Sequence, residues 1–372
     1  MIKTNLEPLI YNPVDLEKLE TFSDTGKYVD KSVQFLEKHY NSRRVLLTSS
    51  GSAALEICSQ LLNLMSGDEV IVSSFSFPTS ASPFLKNGSK LVFSDIDVKN
   101  MCLEIDDVEA KITKNTKVIV VTHYASYSCD MERLKKVCSR NNIILVEDAA
   151  TAIMAKFKDK ILGCYGDMAI ISFNDKKNIH CGEGGALLVK NKYYNKAKIL
   201  CDRGTNRQNF INKKVKRYRW VELGFNTSLS NIHAFFLYGH LKAHKIIINQ
   251  RKRIWNYYHK SLFELDQKGV IRIPKLSPNN IHNAHNFHII LKDKASRDGY
   301  IKYMAGFGII CMTHYEPLHN SPAALKYKDY IIPGECKNTI IVANRMVRLP
   351  LWSNLGMDMH EVVAHTKKFF LL

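Results

Sequence analysis

The 372-residue chain has no CxxC pair, no GxGxxG loop and no run near the roughly 18 apolar residues that a membrane helix needs. Its nine cysteines are odd in number and scattered. That usage fits free thiols in a reducing cytoplasm better than a disulfide frame or a zinc site, and no metal is expected. The opening stretch MIKTNLEPLIYNPVDLEKLE carries acids and no apolar core, so no signal peptide is expected. A cytoplasmic protein without membrane attachment is the expectation. Internal repeats, low-complexity linkers, zinc-finger, RNP and basic-zipper motifs are all missing. Acidic residues are scarce relative to basic ones, 35 against 53, for a formal charge of +18. Three readings of that excess stand: a solvated lysine-rich surface, attraction of a small anion such as a nucleotide diphosphate, or nucleic-acid binding without a recognised motif. Nucleic acid is the least expected partner.

Hydrophobic residues make up 45% of the chain, enough for a substantial core and too many for disorder. Apolar segments at 44–48, 70–73, 91–94 and 118–123 read as strands. Segments 29–40, 106–112 and 131–141 read as helices, and Ser23-Asp24-Thr25-Gly26 as a turn. Strands alternating with helices at this spacing predict a parallel sheet covered on both faces. The middle of the chain, IILVEDAATAIMAKFKDKILGCYGDMAIISFNDKKNIHCGEGGALL, is its most informative stretch. One strand ends in Glu147-Asp148 and a second at Ser172-Phe173 before Lys176 and Lys177. The turn Gly182-Glu183-Gly184-Gly185 leads into a third. An acid and an amine at strand ends suit pyridoxal 5′-phosphate (PLP), whose ring nitrogen wants a carboxylate and whose aldehyde wants a lysine.

Other segments bear on the same end of the sheet. Ser49-Ser50-Gly51-Ser52 follows a strand and opens a helical pattern; it fits a phosphate site on free backbone N–H groups, although an ordinary helix cap is the commoner use of such a run. Phe77 reads either as a core residue or as a ring that stacks on a flat ligand. Phe77, His123, Asp148 and Ser172 all fall at predicted strand ends, where such sheets carry their sites. The GEGG run is a tight turn, since it precedes a strand where a dinucleotide fingerprint would open a helix. Segment 202–220, with Lys213, Lys214, Lys216, Arg217, Arg219, Tyr218 and Trp220, reads as a solvated loop or one reaching toward a pyrophosphate. A long helix over 230–266 follows. Beyond it, strands at 288–292 and 309–312 and helices at 297–305 and 360–370 suggest a smaller α+β unit. The division expected is a large PLP-binding α/β domain, 1–245, and a small C-terminal α+β domain, 246–372.

Taken in order, SSGSAALEI, GDEVIVSSFSF, FSDID, VEDAA, GCYGDMAIISFNDKKN, GEGGAL, GFN and LPLW resemble the DegT-type sugar-nucleotide aminotransferases over nearly the whole chain. These are fold-type I PLP enzymes. VLLT, HYA, RGTNR, NAH and HYEPLH look most like the transaminases that make dTDP-4-amino-4,6-dideoxygalactose. The resemblance implies a mixed, mostly parallel sheet flanked by helices, with a smaller C-terminal α+β domain. It implies that Lys177, directly before Asn178, forms the covalent link to the cofactor, with Lys176 the competitor; neighbours on an extended backbone point opposite ways. Asp148 would pair with the ring nitrogen and Phe77 would stack on the ring. Gly51, Ser52 and Ser172 would hold the phosphate. Asn226 would reach the phosphate of the other subunit's cofactor in a homodimer with shared sites. His314 and His319 would lie near the sugar nucleotide. Thr151 stands where many relatives carry Gln beside the ring oxygen; Asn174 and Ser228 also depart from the usual pattern. The implied reaction moves an amino group from L-glutamate to a dTDP-4-keto-6-deoxyhexose, with galactose or glucose configuration, for surface polysaccharide synthesis. Amination at C3 and a non-catalytic basic regulator or nucleic-acid-binding protein on the same scaffold are the alternatives. A PLP-dependent dehydratase, which replaces the lysine by histidine, is argued against by Lys177.

Overall fold

The computed structural model describes residues 26–275 and 277–371, so most of the turn at 23–26 lies outside the described residues. Its centre is an eight-stranded sheet. Seven strands come from the first half: β1 (Arg44–Thr48), β2 (Glu69–Ser73), β3 (Lys90–Ser94), β4 (Thr116–Thr122), β5 (Ile144–Asp148), β6 (Met168–Ser172) and β7 (Gly185–Val189). Two further strands, β8 (Phe287–Ile290) and β10 (Met346–Leu349), pair with each other in a separate small sheet. Between them in sequence, β9 (Ile331–Ile332) returns to the large one. The large sheet runs β1-β7-β6-β5-β4-β2-β3-β9. β7 is antiparallel to both its neighbours; the other pairings are parallel.

The strands of the sheet's centre are apolar almost throughout because both faces are covered. Parity decides which face each residue meets. Ile71, Ile119, Val121 and Leu145 enter one core, with Leu134 and Val137 of a helix over Met131–Arg140. Val70, Val72, Val118, Val120 and Val146 enter the opposite core, with Ala54, Leu55 and Ile57 of the helix Gly51–Leu62. The long helix Asn231–Gln267 is about 55 Å from end to end at 1.5 Å per residue. Ala234, Leu237 and Leu241 pack with strand residues Leu47, Ile171 and Leu188. Its far half, from Ile254 to Leu265, joins a separate core built on the small sheet and the helices Lys294–Gly306 and Asp358–Leu371. In that small sheet Phe287, Ile289, Val347 and Leu349 enter the separate core, whereas Ile290 and Met346 enter a core of the large sheet.

The strand expected at 309–312 is not one. It holds isolated bridge positions at Ile309 and Met312, the latter pairing with Arg348 at the edge of the small sheet, while Ile310 and Met312 stay exposed. A short ribbon of Lys156–Phe157, Lys160–Ile161 and Asn280–Ile281 has no periodic signal in the sequence. All nine cysteines are free and buried. Among the described residues no helix is long and apolar enough to cross a membrane.

Candidate active site

The carboxyl ends of β4, β5 and β6 bring His123, Asp148 and Ser172 to one rim of the sheet. Asp148 is buried; one carboxylate oxygen accepts the Ser80 hydroxyl and the other the Ala150 N–H at 3.0 Å. Its neighbour Glu147 leaves the opposite face. There it accepts His123 Nε2 at 2.9 Å, Gly163 N–H at 2.7 Å and Gly166 N–H at 2.6 Å. Burial alone would raise the Glu147 pKa, but the His123 bond and charge and the two glycine N–H groups outweigh it and hold the carboxyl below its usual range.

Beyond β6 the chain turns. The side-chain oxygen of Asn174 accepts Lys176 N–H, and its carbonyl accepts Lys177 N–H at 2.9 Å. A turn, not an extended backbone, therefore separates the two lysines. Lys176 is exposed and Lys177 half-buried. Loss of water contact lowers the Lys177 amine to about 8; the Arg348 and Lys176 charges push the same way, and Asp148 opposes them.

Next to Ser172 lies the start of the helix Gly51–Leu62, whose cap Ser50 accepts the Ala53 N–H at 3.0 Å. The first N–H groups of a helix have no carbonyl a turn earlier to bond to. A Cβ on Gly51 would stand 3.0 Å from Ser172 Cβ, and one on Gly185 would stand 2.5 Å from both Ser50 O and Gly51 N. Both glycines are thus required for the strand ends to meet the helix tip. Ser52 Oγ donates to Thr79 Oγ1 at 3.0 Å. Phe77 is 53% exposed, so it is not a core residue. Its ring lies 6.4 Å from Tyr315, which stacks on His314 at 3.8 Å.

The histidines part company. His314 Nδ1 shares a 2.9 Å hydrogen bond with the Tyr124 hydroxyl. Burial, then the charges of Arg348 and Lys177, hold His314 neutral well below its ordinary value. His319 instead sits on Ser74, with Nδ1 at 2.6 Å from the hydroxyl, and the charges beside it are Asp95 and Lys111. The structure brings His314 to Lys177 and uses His319 to pin its loop to the end of β2. Thr151 donates its hydroxyl to His123 O at 2.8 Å, leaving only lone pairs for a ligand. Asn226 is exposed and bridges to Asp202, while the next residue accepts Ser49 N–H at 2.6 Å.

Ser80, Tyr124, Tyr315, His285 and Arg348 were not singled out from sequence. Tyr124 and Tyr315 lie inside HYA and HYEPLH, so their motifs carried a signal. His285 lies inside NAH and meets Asn178 Oδ1 at 3.0 Å through Nδ1. Burial first, then Lys177, Arg251 and Arg348, push its pKa well down.

PLP needs a lysine that can give up its proton, an anion under its ring nitrogen and a cradle for its phosphate. Lys177, Asp148 and the glycine-walled helix tip beside Ser172 answer those needs at one rim. The fold and the donor set are those of a fold-type I, PLP-dependent aminotransferase acting on sugars. The chain belongs to the DegT/DnrJ/EryC1/StrS aminotransferase family, whose model matches residues 14–367. It is 27% identical to GDP-perosamine synthase of Vibrio cholerae, over 94% of this chain and 92% of that one. It is 28% identical to 3-oxo-glucose-6-phosphate:glutamate aminotransferase of Bacillus subtilis, over 91% and 75%. Among solved structures, NtdA of Bacillus subtilis with bound cofactor PMP superposes with a TM-score of 0.86 at 25% identity, covering all of this chain and 86% of that one.

Proposed function

We propose that the enzyme moves the amino group of L-glutamate onto the ketone of a nucleotide-linked 4-keto-6-deoxyhexose, giving a 4-amino-4,6-dideoxyhexose. The observation that carries this is the Lys177 amine, lowered to about 8 and facing the fixed Asp148 carboxylate. When bound, PLP supplies an aldehyde that condenses with amines and a ring that draws electrons from the bond being broken. Asp148, its carboxylate held by Ser80 and Ala150, would be the partner of that ring's nitrogen. Gly51, Ser52 and Ser172 would hold the phosphate, and Phe77 would cover the ring. Lys177 Nζ takes the proton from the α-carbon of glutamate and, in the second half, delivers one to the sugar carbon. An amine near 8 is a usable base at neutral pH and an effective acid once charged.

His314, with Tyr315 and Tyr124, lines the sugar side. A basic surface of formal charge +18 draws in a nucleotide diphosphate. Asn226 lies beside the phosphate turn on a segment that exposes Trp220 and Leu223. That apolar surface supports a homodimer in which the segment completes the partner's site. The motif set favours a dTDP-linked acceptor, and the similarity to GDP-perosamine synthase gives a GDP-linked one as the second reading. Incubation with L-glutamate and parallel panels of dTDP- and GDP-keto-sugars, with the product's amino position and configuration read by NMR, separates the two. Product aminated at C3, or no product from either panel, overturns the proposal. Borohydride reduction should leave a pyridoxyl tag on Lys177; a tag elsewhere overturns the assignment of the lysine.

A further inference from the structure

Away from the rim that carries Lys177, a second group of cations faces a cleft between the small sheet and the large one. Arg272 bridges to Ile290 of β8, and Ile290 lies opposite Met346 of β10. Side chains in one row across a sheet share a face. Ile290 and Met346 enter a core of the large sheet, so Arg272 points the same way from the free edge of the small sheet. There it lines two adjoining cavities of about 600 and 160 Å³, with Val98, just past β3, in the wall of both. Lys275 also lines both, Lys292 and Arg345 the larger, and Lys99 the smaller. Both arginines are partly buried, and neither makes an ion pair or a side-chain hydrogen bond among the described residues. The acids in reach are engaged elsewhere. Asp266 Oδ1 accepts Ile273 N–H at 3.0 Å, Asp97 Oδ1 accepts Lys99 N–H at 2.8 Å, and Asp293 Oδ1 accepts Ser296 N–H at 2.7 Å. Burial, then the charge of Arg345, lowers the Arg272 pKa, against the pull of Asp266 and Asp97. A guanidinium does not deprotonate in a protein, so this repulsion persists at every working pH and an anion relieves it.

We propose that this cleft binds a small phosphate-bearing anion, clamped between Arg272 and Arg345 with Lys275 and Lys292 beside it. The larger cavity is within the roughly 300–1,000 Å³ of small-molecule sites, and Val98, Val270, Ile290 and Ile341 give it an apolar wall for the rest of the ligand. The cleft is separate from the sugar side of the active site. Met312, which leads into His314 and Tyr315, bridges to Arg348 on the opposite edge of the small sheet, so β8 and β10 stand between the two places. An anion that touches both Val98 and Arg272 ties the small sheet to the large one. The inference does not depend on which sugar or amino donor the enzyme uses.

The test is a calorimetric titration of PLP-loaded enzyme, whose cofactor phosphate site is already filled, with inorganic phosphate and with pyrophosphate at constant ionic strength. Wild type should bind the anion and gain Tm with it, since a ligand of the folded state stabilises that state. R272Q and R345Q should each weaken binding on the order of tenfold or more, the scale of one lost charge-assisted bond, and R272K should recover part of the loss. The visible cofactor band and the Tm without added anion show that each variant is folded and loaded; should R272Q fail that check, R345Q and R272K carry the comparison. Tighter binding of pyrophosphate than of phosphate identifies a diphosphate as the ligand, and equal binding a single phosphate group. No binding by wild type, or equal binding by wild type and both glutamine variants, overturns the site. A rise in KM for the accepted keto-sugar in R272Q that matches its loss of anion affinity makes these cations part of the substrate site, and overturns the proposal as well.

Discussion

Lys177 should destabilise the cofactor-free protein, and its removal should show by how much. The amine falls from an ordinary value of 10.5 to about 8. At about 1.4 kcal/mol for each tenfold change, that corresponds to roughly 3 kcal/mol of resistance to the charged form. The side chain keeps part of its water contact, so about 2 kcal/mol is the better figure. The sign follows from linkage. Below pH 8 the amine is charged in both folded and unfolded chains, and the full penalty acts on the fold. Between pH 8 and 10.5 the folded state sheds its proton first and the penalty shrinks; above 10.5 it is gone. Lys177→Met, of similar length and without charge, should therefore stabilise the cofactor-free protein near pH 7 by about 2 kcal/mol. For a chain of this size that is about two to three degrees in Tm. Thermal unfolding of both proteins at half-unit steps from pH 6.5 to 10.5 measures it. A gain that does not shrink with rising pH, or a loss of stability at pH 7, would refute the reasoning.

Three further outcomes follow from the same geometry. Gly185→Ala puts a Cβ 2.5 Å from Ser50 O and Gly51 N; about 1–3 kcal/mol of overpacking strain is expected, together with weaker binding of PLP in a fluorescence titration. Ser80→Ala removes a hydrogen bond to buried Asp148 and should lower kcat about tenfold while costing about 1–3 kcal/mol of stability, the scale for leaving a buried acceptor without its partner. Lys176→Ala should retain activity and the borohydride tag, because that side chain is exposed, whereas Lys177→Ala should lose both.

Much of the large sheet was legible because its signal is periodic and local. The alternation of Val70, Ile71 and Val72, or of Val118, Ile119 and Val120, sorts into opposite cores as parity requires. Residues at strand ends could be named from sequence for the same reason. Ser80 and Arg348 could not. Ser80 reaches Asp148 across 68 positions of sequence, and the orientation of Arg348 depends on which face of the small sheet closes over the large one. The segment expected as a strand at 309–312 failed for a related reason: it is apolar enough, but a strand needs a continuous edge to pair with, and this segment reaches one only at isolated bridge positions.

The adjacent acids Glu147 and Asp148 show what parity adds to residue identity. Glu147 shares the parity of Leu145 and turns toward one core; Asp148 shares that of Val146 and turns toward the face on which the helix Gly51–Leu62 packs. A ligand whose phosphate sits at that helix tip can meet Asp148 and cannot meet Glu147. The two substitutions should therefore dissociate. Glu147→Gln sets an amide against the His123, Gly163 and Gly166 donors and leaves at least one buried group unpaired, at a cost of roughly 2–3 kcal/mol. Because the folded pKa of Glu147 is lowered, its contribution is complete above the ordinary carboxylate value and fades as pH falls below it, so the variant's deficit in Tm should narrow in acid. Asp148→Asn should instead leave Tm within a degree or two and reduce turnover by about a thousandfold or more, the scale of several kcal/mol of lost charge stabilisation. Equal losses of stability in both variants, or of turnover in both, would show that the strand does not divide structure from chemistry between its faces.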